Sequence, residues 1–134
     1  MQLDTALFLD ILGALFMIPL LYLVTQLIFN SLQKKHDFFN RRLLNKLFYY
    51  HMFFGAIYYV YAFFHPSDSH KYFLWPQNVS KSWLDFFGTE TTFVNFISYP
   101  FINSLGFSYE MMMLLYTWFG FLGFVYAYLF FKEN

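Results

Sequence analysis

The sequence predicts an all-α integral membrane protein, with three transmembrane helices and one further helix, interfacial or re-entrant, in the outer segment between the second and third. Three observations carry this fold class. Hydrophobic residues make up 59% of the 134-residue chain and charged residues only 12%, against about a quarter in ordinary soluble domains. Phe contributes 22 residues and Tyr 12, more ring surface than one small soluble core can hide from water. Three long apolar runs are separated by two polar connectors, the first of them strongly basic. The length suits a single membrane unit over residues 1–134.

The first span covers residues 6–29, "ALFLDILGALFMIPLLYLVTQLIF". At 1.5 Å per residue it reaches about 36 Å, enough to cross with tilt. Pro19 removes one backbone donor within it, and Asp10 lies about one turn inside its start. The opening "MQLDTALFLD" has no basic stretch and no small-residue cleavage site, so no removable signal peptide is expected.

Residues 30–46 form the connector "NSLQKKHDFFNRRLLNK", with Lys34, Lys35, Arg41, Arg42 and Lys46 against the single acid Asp37. Basic residues stay on the cytoplasmic side of a membrane, which makes this a cytoplasmic loop and places the N-terminus outside. A surface for anionic lipid or nucleic acid would have the same composition. A topology signal accounts for it without a further partner, and the zero net charge gives no argument for nucleic acid.

The second span, residues 47–64, has no Lys, Arg, Asp or Glu and contains five Tyr, which suit an interface or a protein-facing surface. His51 reads as a structural, partner-bonded histidine. The third span, residues 111–131, carries no charge and returns the C-terminus to the cytoplasm. Gly120 and Gly123 within it offer a place for close helix packing, though not at small-xxx-small spacing. Glu110, at its outer start, is expected to stay hydrated.

Residues 65–110 form the outer segment. Its first part, through Gln77, reads as irregular because of its two prolines. "SKSWLDFFG" suits a short helix with Ser80 or Ser82 near its start. Residues 91–105 place Phe93, Phe96, Ile97, Phe101 and Leu105 at helical spacing, with Thr89 as cap, Pro100 as a break, and Asn95 and Asn103 keeping the helix partly wet.

The stretch "FHPSDSHKYFLWPQ" gathers His65, Asp68, His70 and Lys71 where the second span ends. Two His and an Asp are suitable metal ligands, but H-x-x-D-x-H is not a spacing with a defined coordination geometry, and no metal is assigned. Asp68 and His70 are also candidates for acid–base work. "PSDS" is turn chemistry, and Lys, Tyr and Trp suit a membrane surface, so an exit turn explains the same residues. The chain lacks Cys, which excludes disulfides and thiolate sites. It contains no G-x-x-x-x-G-K-[ST], H-E-x-x-H, G-x-S-x-G or CxxCH element, and no cofactor is expected.

Asp68, Ser69 and Tyr72 form a D-S-x-x-Y element after a membrane span. They are followed by "FFGTETTFVNFISYPFINSLGFSYEMMMLLYTWFGFLGFVYAY", with its Gly-Thr start, aromatic amphipathic stretch, G-[FL]-S-Y turn and long span with spaced glycines. Together, over about residues 60–131, these resemble the N-terminal region of multispanning bacterial polysaccharide polymerases and related lipid-linked glycosyl-transfer proteins, the EpsG-like and Wzy-like group. The resemblance implies a bacterial inner-membrane protein that meets an undecaprenyl-diphosphate-linked glycan at the outer face. On it, Asp68 is the candidate catalytic or sugar-hydroxyl contact. His70 and Lys71 are candidates for diphosphate, and Tyr72, Trp75 and Trp83 for stacking on sugars. A different class of function fits the same composition: a small non-catalytic subunit packing through its aromatic helices into a larger membrane complex. Three helices offer few walls for a substrate cavity, so other membrane subunits or further spans are expected beside membrane lipid in either case.

Overall fold

The computed structural model describes residues 5–78 and 80–133, and every regular element among them is helical. Three long helices dominate: α1 (Thr5–Gln33), α2 (Arg41–Phe64) and α5 (Tyr109–Glu133). All three are long and apolar enough to cross a membrane. Two short helices, α3 (Asp68–Leu74) and α4 (Thr91–Tyr99), lie between α2 and α5.

Helix α5 packs against both α1 and α2. It buries Met112, Leu115, Trp118, Phe121, Val125 and Leu129, a stripe at helical spacing. Helix α1 contributes Met17, Leu21, Thr25, Phe29 and Leu32, and α2 contributes Leu44 and Phe48. The fully buried Phe121 is the meeting point. Its ring centroid lies 5.3 Å from Phe48, 6.2 Å from Phe29 and 5.9 Å from the His51 ring. Thr25 supplies the polar link of this core: its Oγ1 donates to Leu21 O (2.8 Å) and accepts from Trp118 Nε1 (2.9 Å). Both hydroxyl roles are filled, so its burial leaves no orphaned group.

The basic connector is shorter than the sequence suggests. Helix α1 runs to Gln33 and α2 begins at Arg41, because Asn40 Oδ1 accepts from Leu43 N (3.0 Å) and caps the new helix. Arg41 then folds back on α1, donating to Gln26 Oε1 (2.5 Å from Nη2) and Asn30 Oδ1 (2.7 Å from Nη1). Gln26 Nε2 in turn donates to Asn45 (2.8 Å). The α1–α2 turn is closed from the other side by Tyr128, whose hydroxyl donates to Phe38 O (2.9 Å).

The segment expected to be irregular through Gln77 is helical from Asp68, and a 3-10 turn follows at Trp75–Gln77. Pro66 precedes the helix rather than interrupting it, and Ser67 Oγ caps it by accepting from Ser69 N (3.3 Å). "SKSWLDFFG" does yield a short element, the 3-10 turn Trp83–Phe86. Its start is held by Asp85, whose Oδ2 accepts from Ser82 N (2.6 Å) and Ser82 Oγ (2.9 Å). These bonds hold the Asp85 carboxyl below its ordinary range.

Helix α4 ends at Tyr99 as Pro100 requires, and a wider π turn, Pro100–Ser104, continues it. Thr89 is not its cap. Glu90 holds that position at φ 57° without a side-chain bond, and the Thr89 carbonyl instead accepts from Thr92 Oγ1 (2.5 Å). Its inward face also differs from expectation. Asn95 and Ser98 are buried, while Phe93 is 46% and Leu105 64% exposed. The inward face is selected by hydrogen bonding: the hydroxyls of Ser98 and Tyr116 on α5 meet each other beside Val94 O, so that one donates to the carbonyl and the other donates to its partner hydroxyl. Gly106, at φ 67°, makes the turn into α5, and Ser108 Oγ accepts from Met111 N (3.3 Å) at its start.

Gly120 and Gly123 face open space and make no close helix contact. The close approach is at Gly55, where α2 passes over Thr117 of α5. A Cβ there would lie 2.5 Å from Thr117 Oγ1 and 2.6 Å from its Cγ2.

Candidate functional site

Where α2 ends, residues 65–78 and 80–108 fold over the side of α5 and border a cleft of about 440 Å³. Tyr109, Met112, Met113, Tyr116 and Thr117 form its wall on α5. These positions follow i, i+3, i+4, i+7, i+8 spacing, so the cleft runs along roughly 12 Å of one helix face. Tyr58 closes it from α2, Asp68, Ser69, Tyr72 and Phe73 from α3, and Val94 from α4.

The rim is polar. A chain of hydroxyls crosses it: Tyr58 OH to Ser67 Oγ (2.7 Å), Ser67 Oγ to Ser69 Oγ (2.9 Å), and Ser69 Oγ to Tyr109 OH (2.8 Å). Each hydroxyl can either donate or accept, so the chain can reorganise around a bound polar group. Asp68 stands beside it at the start of α3, its side chain 70% exposed, and accepts from Lys71 Nζ at 2.9 Å. This is the one ion pair among the described residues. Its hydrogen bond raises the Lys71 ammonium above its ordinary value, so Lys71 stays charged. Below the rim, Met112, Met113, Phe73 and Val94 make the lining apolar.

Of the residues singled out in the sequence, the structure brings Asp68 and Tyr72 into one cleft. His70 stacks on the Tyr109 ring (centroids 4.7 Å apart, 10° between planes), against the wall rather than beside Asp68. Lys71 reaches the site through Asp68 alone. Trp75 lines a separate cleft, and Trp83 is turned to α4, donating to Phe96 O (2.9 Å) and stacking on its ring at 5.0 Å. His65 stacks on Tyr61 at 4.3 Å, so the four polar residues of the 64–77 stretch do not converge. Among the described residues no group of three or more His, Asp or Glu could hold a metal ion.

Among the lining residues that sequence reasoning missed, Tyr58, Tyr109 and Tyr116 carry the phenol hydroxyls. Their signal was diluted among twelve tyrosines. The G-F-S-Y turn marked Tyr109 only as part of a turn.

No family model matches the chain, and no curated protein or solved structure matches it significantly.

Glu110 and His51 each have a partner. Tyr59 OH donates to Glu110 Oε1 (3.0 Å), joining α2 to α5. His51 Nδ1 lies 3.3 Å from Leu47 O, and its ring packs 5.0 Å from Phe124.

Proposed function

We propose that the chain is a membrane-spanning unit that receives an amphiphile with a polyhydroxylated head, as part of lipid-linked glycan transfer or polymerisation at the outer face of the bacterial inner membrane. The observation that carries the reading is the cleft itself. Its rim holds a carboxylate and a chain of hydroxyls, and its depth is apolar along α5. An undecaprenyl-diphosphate-linked glycan has that division between polar head and apolar tail. Asp68 is the group placed to accept a sugar hydroxyl's hydrogen bond or proton. Tyr72 and Tyr58 offer ring surface beside it.

The test is Asp68→Asn in the intact gene. The substitution keeps size and removes the carboxylate's charge. Glycan chains are expected to shorten while membrane insertion and abundance stay normal. Unchanged glycan length would remove Asp68 from the function.

In this reading the α1–α2 turn is cytoplasmic, since Lys34, Lys35, Arg41 and Arg42 gather there. Both the N-terminus and α3 then lie outside, the C-terminus lies inside, and α4 turns Phe93 toward the outer interface, with Leu105 exposed just after the π turn. A cysteine placed at Ser67 is expected to react with an impermeant maleimide on intact cells. Reaction only after the inner face is opened would reverse the orientation.

A second reading, a subunit of a larger membrane complex, is favoured by the free face of α2. Tyr49, Tyr50, Phe53 and Phe54 are all more than half exposed on a helix proposed to cross the membrane. Phenol hydroxyls are better accommodated by neighbouring helices than by lipid tails. Photo-crosslinker at Tyr50 should capture another membrane protein if this holds, and lipid alone if it does not.

A further inference from the structure

We infer that a second cleft, between the Trp75 turn and α4, binds a sugar ring as a subsite separate from the Asp68 cleft, an inference that rests on the glycan reading above. The cleft holds about 380 Å³, at the small end of the range for bound small molecules. Trp75, Asn78, Lys81, Asp85, Phe86 and Asn95 are among its lining residues.

The first observation is an orphaned buried group. Asn95 is only 1% exposed, and its Oδ1 has no hydrogen-bond partner. Every other buried side-chain polar atom among the described residues is satisfied. Asn95 is among the residues lining the cleft, and a ligand donor that reached its Oδ1 would supply the missing bond.

The second observation is the mixture of groups around it. Asp85 commits Oδ2 to Ser82 and keeps Oδ1 to accept. Asn78 commits Oδ1 to Ser80, by bonds from both its N (3.1 Å) and Oγ (2.7 Å), and keeps its amide N–H groups to donate. Lys81 Nζ sits 5.5 Å from the Phe86 ring centroid and adds further donors. Trp75, half exposed, offers an apolar plane. An anion would meet Asp85, a cation would meet Lys81, and a hydrocarbon would leave Asn95 unpaired. A neutral polyol answers all of them: its hydroxyls donate and accept, and its C–H face packs on the indole.

The experiment uses the full chain in lauryldimethylamine oxide micelles, a detergent with no sugar head to compete. The protein is applied to an array of hexose, N-acetylhexosamine and deoxyhexose oligosaccharides, and the strongest binder is titrated free in solution by tryptophan fluorescence. Trp75→Ala and Asn95→Leu are each expected to weaken binding about tenfold or more, the loss of one good contact. Phe16→Ala, at a position 84% exposed on α1 and outside both clefts, is expected to bind as the wild type does. Asn95→Leu should also melt at a higher temperature, because it replaces an unpaired amide with an apolar group of similar size. Absence of any array binding, or equal affinity in the Trp75 and Asn95 variants, overturns the subsite. A lower melting temperature for Asn95→Leu overturns the amide's assignment to a ligand, and Trp75→Ala, whose side chain is exposed, then decides alone. Shortened glycans in Asp68→Asn without saccharide binding by the isolated chain would defeat this inference and leave the glycan reading standing. Binding that survives while Asp68→Asn changes nothing in the cell would do the reverse.

Discussion

Phe121→Ala is expected to lower the thermal stability of the protein in detergent more than any other single truncation of an aromatic ring. Phe121 is 0% exposed and its ring meets Phe29 of α1 together with Phe48 and His51 of α2. Truncation therefore opens a void where the three long helices meet. If these helices are spans, their unfolded partners already sit in lipid, so the transfer part of the usual cost is small. The void remains. At ~24 cal/mol per Å³, a ring-sized cavity costs about 2 kcal/mol, and lost dispersion contacts are included in that figure. Phe16→Ala, at a position 84% exposed on α1, should change the melting temperature little. Equal losses for the two variants would show that α5 is not the packing centre.

The second large effect is expected at Gly55. Alanine is the better helix former by roughly 1 kcal/mol, so Gly55→Ala would stabilise an isolated helix. Here the added Cβ meets Thr117 Oγ1 at 2.5 Å and Cγ2 at 2.6 Å. Thr117 cannot easily give way: it is β-branched, and its Oγ1 donates to Met113 O at 2.9 Å. Overpacking costs about 1–3 kcal/mol, so the clash should outweigh the propensity gain and lower stability. Adding Thr117→Ala should restore part of the loss, leaving only the 3.1 Å approach at the Thr117 Cβ position. Gly120→Ala should have the opposite sign, since nothing lies within 4 Å of its added Cβ. The melting temperatures of the three variants test this directly. A stabilised Gly55→Ala would mean that α2 and α5 are further apart than described. The same contact sets the width of the Asp68 cleft, because Tyr58 stands one turn along α2 from Gly55 and Thr117 lines the facing wall.

The cleft was partly legible before any coordinates. Asp68, Ser69 and Tyr72 stand at i, i+1 and i+4 of one short segment, so local spacing could bring them together once that segment was helical. Prolines on both sides concealed the helix: Pro66 precedes it and Pro76 follows it, where each is tolerated. The opposite wall was not legible. Tyr109 and Tyr116 come from a helix whose start is separated from Asp68 by the whole 3-10 and α4 region.

The sequence by itself determined the elements whose cause is local. Three uninterrupted apolar runs specify three long helices, because every backbone polar group in such a run must be satisfied within its own segment if lipid is the solvent. Pro100 ends α4 and Gly106 turns the chain into α5, each through its own backbone restriction. Only the tertiary structure decided which side of each helix faces inward. Helices α1 and α5 are apolar around their whole circumference, so no stripe in the sequence marks their buried face. Packing selects it instead, through the ring of Phe121, the Trp118–Thr25 bond and the missing side chain of Gly55. In α4 the hydrogen bonds of Ser98 and Tyr116 turn Asn95 and Ser98 inward and leave Phe93 outside. A hydroxyl can be buried only where its partner is, and that partner lies eighteen residues away on another helix.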